Sequence, residues 1–420
     1  MATSTLRRWI GTTSGRLAIG LAAFAIAAGV TWFALNDSVE TVRVAMPLSS
    51  SPPVAIDAPA SSAAPASTPE VAVVDEASHA DDEVQMCGGE WVKTGADGEV
   101  IKEEAEAFER RALEATKRPA LEAMEASGDE RVQAAAHFFQ SNVEGHREAL
   151  VRFAQATTDP QVYAWAVQAC RRADALAQGS CQLVSAEQWA RLDPTNAIPW
   201  LTLAREAEQH HEATALDDAM FHVASAERVD AGWGQLPSAV IEHVPSGEAH
   251  LVGALALAIE AIGIDAAGTV DYQAAFKYCN AAGLADANRR ETCERVAELF
   301  VHRSTTLLED GLGTGLGKRL GWPSERLESL RREHEALFEA VVHETMRIDG
   351  TQGCADLRRE LERIRNVARY GEIGTARLAL EASGKTFEQV AVDYRQDVAK
   401  ILGKAQQAEA AASAASAADR

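Results

Sequence analysis

From Glu99 to about Leu402 the apolar residues recur at the three-to-four-residue spacing of amphipathic helices, and strand-like alternation is scarce. Residues 99–117 form a charged amphipathic stretch, and Pro119 is expected at a helix start or a kink. A long helical stretch is expected from Asp129 to Thr157, with His137, Phe138, Phe139, Val143, Leu150, Val151 and Phe153 on its apolar side. Asp159-Pro160 then opens a helix, with Asp as N-cap and Pro in the first turn. Ser185 to Gln188 and Thr386 to Gln389 are capping-box patterns. The run HLVGALALAIEAIG, from His250, reads as a buried helix, too short and too interrupted by Glu260 and glycines for a second membrane span. Gly311 to Pro323, GLGTGLGKRLGWP, reads as a flexible connector, after which long helices follow to about Arg347 and from Cys354 to Ala382.

The first 85 residues obey a different pattern. Residues 1–16 are basic, with Arg7, Arg8 and Arg16. Leu17 to Leu35 are nineteen uncharged residues, about 28 Å as a helix and close to the thickness of a hydrocarbon core. The arginines before this stretch place the N-terminus in the cytoplasm and the rest of the chain outside. The expected location is therefore the inner membrane, as a single-pass protein with a periplasmic domain. A cleaved signal peptide, and so a secreted protein, is the alternative. Residues 36–85 are rich in Pro, Ala, Ser and acids and read as a disordered linker. A turn-rich patch with one or two extended pieces, Cys87 to Gly98, opens a helical domain over 86–404, and 405–420 is an alanine-rich tail.

Composition agrees with an all-α fold, since Ala, Leu, Glu and Arg dominate. The formal net charge of −22 argues against nucleic acid as a partner. Six cysteines all lie beyond the candidate anchor, and none forms a CxxC. An even number on the exported side points to three disulfides. The spacings favour Cys170–Cys181 and Cys279–Cys293 as local staples, leaving Cys87–Cys354 as a long-range clasp. Fifteen connectivities exist for six cysteines, and buried free thiols are the other reading. The segments around the two local pairs echo each other as helix, Cys, turn, Cys, helix.

Asp193-Pro194 repeats the Asp159-Pro160 opening 34 residues later, and Asp230 follows 37 residues after Asp193. With Asn196, Ala197, Trp200, Leu203, Ala204, Ala219 and Ala226, the stretch DPTNAIPWLTLA and its sequel resemble a tetratricopeptide-type repeat. The resemblance covers about 159–230, and His210 and His211 stand where the family has its interhelix Gly. It implies stacked helical hairpins in an irregular solenoid, with Thr202, Arg205 and Gln209 on a concave face that binds a protein or peptide.

No catalytic pattern stands out. His343-Glu344 begins a metalloprotease motif that Arg347 breaks. Gly317-Lys318 lacks the Ser or Thr and the preceding strand of a phosphate loop, although an anion-binding loop beside Lys318 and Arg319 is the alternative to a connector. His210-His211-Glu212 reads as a solvated turn. No metal site, cofactor or catalytic residue is assigned. The expected function is partner binding in the cell envelope, with a hydrolase site between helical layers, or a purely structural envelope role, as alternatives.

Overall fold

The helical periodicity becomes a predominantly helical chain in a computed structural model that describes residues 82–95, 100–172, 179–267, 272–345, 353–400 and 403. The candidate anchor Leu17–Leu35, residues 36–81 of the linker and the alanine-rich tail lie outside the described residues. The chain enters through a two-stranded antiparallel hairpin, β1 (Glu83–Gln85) and β2 (Trp91–Lys93), so the last three residues assigned to the linker are strand.

Fourteen α-helices follow in order up to Ser383 among the described residues. They are α1 (Lys102–Glu125), α2 (Glu130–Phe139), α3 (Glu144–Ala156), α4 (Pro160–Arg172), α5 (Ala186–Leu192), α6 (Ala197–Gln209) and α7 (Ala213–Ser225). Then come α8 (Gln235–Glu242), α9 (Leu251–Ala267), α10 (Gln273–Tyr278), α11 (Ala287–Arg303), α12 (Leu307–Leu320), α13 (Ser324–Thr345) and α14 (Cys354–Ser383). A last helix, α15, occupies 387–400. One capping box forms in full: Thr386 and Gln389 bond reciprocally across the start of α15. At the other, Ser185 Oγ accepts from Gln188 N–H (3.2 Å), but Ser185 N–H donates to the Tyr163 hydroxyl and Gln188 Oε1 accepts from Arg191, so only the Ser cap forms.

Three expectations about helix boundaries are corrected. Pro119 sits inside α1, which runs through it. The helical stretch expected over 129–157 breaks into α2 and α3, because Ser141 at the break is buried and its hydroxyl accepts from Arg172 of α4 (2.6 Å). Gly311–Pro323 is mostly not a connector, since Gly311, Gly313, Gly315 and Gly317 lie inside α12 and Gly321 is its left-handed C-cap.

All three disulfides form as expected. Cys87–Cys354 ties the hairpin to the start of α14, Cys170–Cys181 closes α4 onto a 3-10 turn, and Cys279–Cys293 joins the end of α10 to α11. The two local pairs differ in detail. Cys170 lies within its helix, whereas Cys279 lies just beyond one. Each short closure stabilises by about 3 kcal/mol in the loop-entropy model.

The helices stack in sequence as α2–α3–α4 and α5–α6–α7, then α11–α12–α13–α14, with α7 packing directly on α11. Between these runs α8 and α9 fold back onto α1 and α14, and α10 packs on α6. Helix α9 belongs to the stretch Glu248–Ala267, which is long and apolar enough to cross a membrane. Here Leu255, Leu257, Ala258 and Ala261 are buried, and Gly253 lies against α1.

A belt of main-chain bonds runs across the stack. Ala197 N–H donates to Arg228 C=O (2.9 Å), and Glu227 N–H to Thr195 C=O (2.9 Å). Val229 N–H donates to Arg303 C=O (3.0 Å), and Thr305 N–H to Val229 C=O (3.2 Å). Ile373 N–H then donates to Thr305 C=O (3.1 Å). The last step needs Gly371, which breaks α14 at φ 74° where a side chain would meet Thr305 O at 2.8 Å.

The glycines of α12 serve close approach rather than flexibility. A Cβ on Gly313 would meet Phe300 Cβ at 2.7 Å and Val301 N at 2.8 Å on α11. A Cβ on Gly317 would lie 2.1 Å from the Trp322 ring. Overpacking of this kind costs about 1–3 kcal/mol. Gly313→Val should therefore lower the unfolding free energy of the purified protein by about 3 kcal/mol in a denaturant titration. Gly263→Ala, on a face of α9 with nothing within 4 Å, should raise it by up to about 1 kcal/mol.

Candidate functional site

The α6–α7 hairpin is made by its entry. Asn196 is the N-cap of α6, and its Oδ1 accepts from Ile198 N–H (3.3 Å) and from Asp230 N–H (3.1 Å). Its Nδ2 donates to Asp193 Oδ2 (2.9 Å) and to Asp230 C=O (2.7 Å). Asp193, itself buried, also accepts from Arg228 (2.5 Å). These five residues knot the start of the hairpin to its end.

Asp159-Pro160 and Asp193-Pro194 are thus not equivalent. Asp159 caps α4 through Gln161 N–H (2.8 Å), with Pro160 as the first helical residue. Asp193 closes α5, and α6 begins only at Ala197. Asp230 opens a turn through Gly232 N–H (2.9 Å) rather than a helix. The interhelix turn uses His211 at φ 59°, with Glu212 N–H reaching back to Ala207 C=O (2.9 Å).

The expected repeat residues divide into packing and surface positions. Ala204 and Ala219 are buried, and Leu203 and Ala226 pack on the core from half-buried positions. Trp200 is half-buried, donates to Pro194 C=O (3.1 Å) and stacks on His222 of α7 at 3.9 Å.

The concave-face expectation needs correction. Thr202 is 1% exposed, donates to Ile198 C=O (3.2 Å) and accepts from Arg171 (3.4 Å), so it is core. Arg205 is half-buried and pairs with Glu208, which also holds Lys277 of α10 (2.7 Å). Helix α10 therefore sits over part of the face the repeat resemblance would leave open, and only Gln209 is exposed.

The opposite face carries what sequence reasoning missed. Phe221 of α7 is 55% exposed and meets the His222 ring edge-on at 5.8 Å. Together with Trp200 it makes an aromatic step on the outside of the hairpin. Asp218, one turn earlier, is exposed beside it. Helical periodicity alone could have flagged Phe221, since it lies away from the Ala219, Met220 and Val223 side.

A second cluster is buried. Glu309, in the first turn of α12, is 1% exposed, and its Oε1 accepts from Tyr272 O–H (2.5 Å). Oε2 is enclosed without a side-chain partner. Burial pushes this carboxyl up to about 8, Tyr272 opposes the rise, and Glu372 and Asp230 add to it. Burial likewise raises Asp265 to about 8, against the pull of Gly234 N–H and Arg172. Glu372 caps the same helix start, accepting from Leu307 N–H (2.9 Å). Burial thus favours the neutral acid of Glu309, whose Oε1 accepts from the Tyr272 hydroxyl.

No family model matches the chain, and neither a curated protein nor a solved structure matches it.

Asn196→Ala removes a cap and leaves the part-buried N–H and C=O of Asp230 without their side-chain partner, so it should cost about 2 kcal/mol in a denaturant titration. Gln209→Ala should stay within about 0.5 kcal/mol. For Glu309, the folded state holds a proton from about pH 4.5 to about 8 that the unfolded state releases. Stability supplied by the neutral acid is full below the lower value and is lost as pH rises through the upper one. The melting temperature should therefore fall from pH 5 to 8, and Glu309→Gln should flatten that fall.

Proposed function

We propose that this chain is an exported, membrane-tethered helical-hairpin protein that binds a protein or peptide segment in the cell envelope. The observation that carries the binding role is the aromatic step of Trp200, His222 and Phe221 on the outside of the α6–α7 hairpin. Large aromatic side chains that stand on a rigid, packed base are the commonest anchors of binding energy. The base here is rigid because the Asn196 knot fixes both ends of the hairpin.

The surroundings select a partner. Asp218 is exposed one turn from Phe221, and the chain as a whole carries a net charge of −22. An apolar side chain flanked by Lys or Arg complements such a step, and the charge speeds encounter. Export is supported by the pairing of all six cysteines, which persists in oxidising compartments. The tether rests on the uncharged stretch Leu17–Leu35 and its flanking arginines. The tetratricopeptide-like reading rests on the same hairpin and implies the same use of a helix surface. A hydrolase between the layers would need a carboxylate open to substrate, and Glu309 is enclosed.

Selection of random 12-residue peptides on the immobilised full chain tests the proposal. Enriched peptides should join an aromatic or aliphatic residue to Lys or Arg. Phe221→Ser and Asp218→Lys should each weaken them at least tenfold, and Leu378→Ser, at an exposed apolar position on α14, should not. Failure to enrich any peptide, or equal binding by Phe221→Ser, would overturn it.

A further inference from the structure

Where α1, α2 and α3 meet, three side chains that no sequence pattern joins converge. Glu125 is the last residue of α1, His137 lies in the last turn of α2, and His146 is in the first turn of α3. One ligand atom from each lies within 4.8 Å of the others. His137 Nδ1 and His146 Nδ1 face each other at 3.1 Å, and His146 Nδ1 lies 3.9 Å from Glu125 Oε1. Two imidazole nitrogens this close require either that one ring donates its proton to the other or that a cation lies between them.

We propose that Glu125, His137 and His146 form a zinc-binding site that clamps the junction of the first three helices. Two ligands at about 2.05 Å from a tetrahedral zinc ion lie about 3.3 Å apart, close to the separation of the two ring nitrogens. The Glu125 oxygen closes the remaining gap by a small rotation of an exposed side chain. Two histidines and a carboxylate leave a fourth position for water or for a group brought by a partner.

The surroundings hold the ligands in place. Gln140 Nε2 donates to Glu125 Oε1 (2.8 Å), and Gln133 Nε2 donates to the Glu125 carbonyl (3.3 Å). The Phe153 ring lies 5.7 Å from that of His137 and limits its rotation. Burial lowers the His137 pKa, helped by His146 and Arg152 and opposed by Glu125. The break at Ser141 is what creates the site. On one continuous helix, residues nine apart would face opposite sides.

The site lies apart from the aromatic step on α6–α7, so either proposal can fail alone. The test is calorimetric titration of ZnCl2 into the untagged, chelator-treated full chain, with the melting temperature followed in parallel. One equivalent should bind with a dissociation constant of about 10 µM or tighter and raise the melting temperature. His137→Gln, His146→Gln and Glu125→Gln should each weaken binding by at least about tenfold. The double variant His210→Gln, His211→Gln, at the exposed interhelix turn, should bind as the parent does. Should His137→Gln disturb the fold, Glu125→Gln still decides, because its side chain is exposed. Absence of saturable binding up to about 100 µM zinc, or unchanged binding by both His146→Gln and Glu125→Gln, would overturn the site.

Discussion

The belt of main-chain hydrogen bonds linking Thr195–Ala197, Glu227–Val229, Arg303–Thr305 and Ile373 is the constraint on which the stack depends. Helix pairs held only by apolar faces can slide along one another, because burial is not directional. Main-chain bonds between the connecting segments remove that freedom. Helix α6 begins at the Ala197 bond, α12 just after the Thr305 bond, and the second half of α14 at the Ile373 bond. The belt therefore fixes in common where several helices start. Its side-chain members follow from the same need: Asn196 and Asp193 satisfy polar groups that the rungs bury, and Gly371 lets the backbone reach Thr305.

The belt also explains the acid chemistry near it. Two carboxylates, Glu309 and Glu372, lie close to the start of α12, where the helix favours negative charge. Glu372 takes a free amide of that start. Glu309 is enclosed between α12 and Tyr272, and burial favours its neutral form. The tight α11–α12 contact allowed by Gly313 brings the walls of this enclosure together. A glycine-rich run that resembles an anion loop thus helps to exclude water instead of binding a phosphate.

Surface chemistry is arranged differently. The face of α6 that a repeat protein would display is partly covered by α10 through Glu208 and Lys277. The outer face of α7 carries the exposed aromatic instead. Elsewhere, the junction of α1, α2 and α3 gathers two imidazoles and a carboxylate. Both features arise where the regular stacking is interrupted, by α8–α10 in one case and by the break at Ser141 in the other.

By itself the sequence determined the helical class, the caps at Ser185 and Thr386 and the α6–α7 hairpin, and its spacings favoured the cysteine pairing that forms. Each of these is a local or counting property: periodicity, an Asx or Ser/Thr three residues before a partner, or an even number of thiols with two short spacings. Only the tertiary structure decided that Thr202 is core, that Asp159 and Asp193 play different parts, and that Gly311–Gly317 are helical. It alone decided that His137 meets His146. In every such case the outcome turned on a contact with an element distant in sequence: α10 over α6, Arg228 on Asp193, Phe300 against Gly313, Arg172 on Ser141. Periodicity along a chain records which side of a helix is apolar, but not which distant group will come to lie against it.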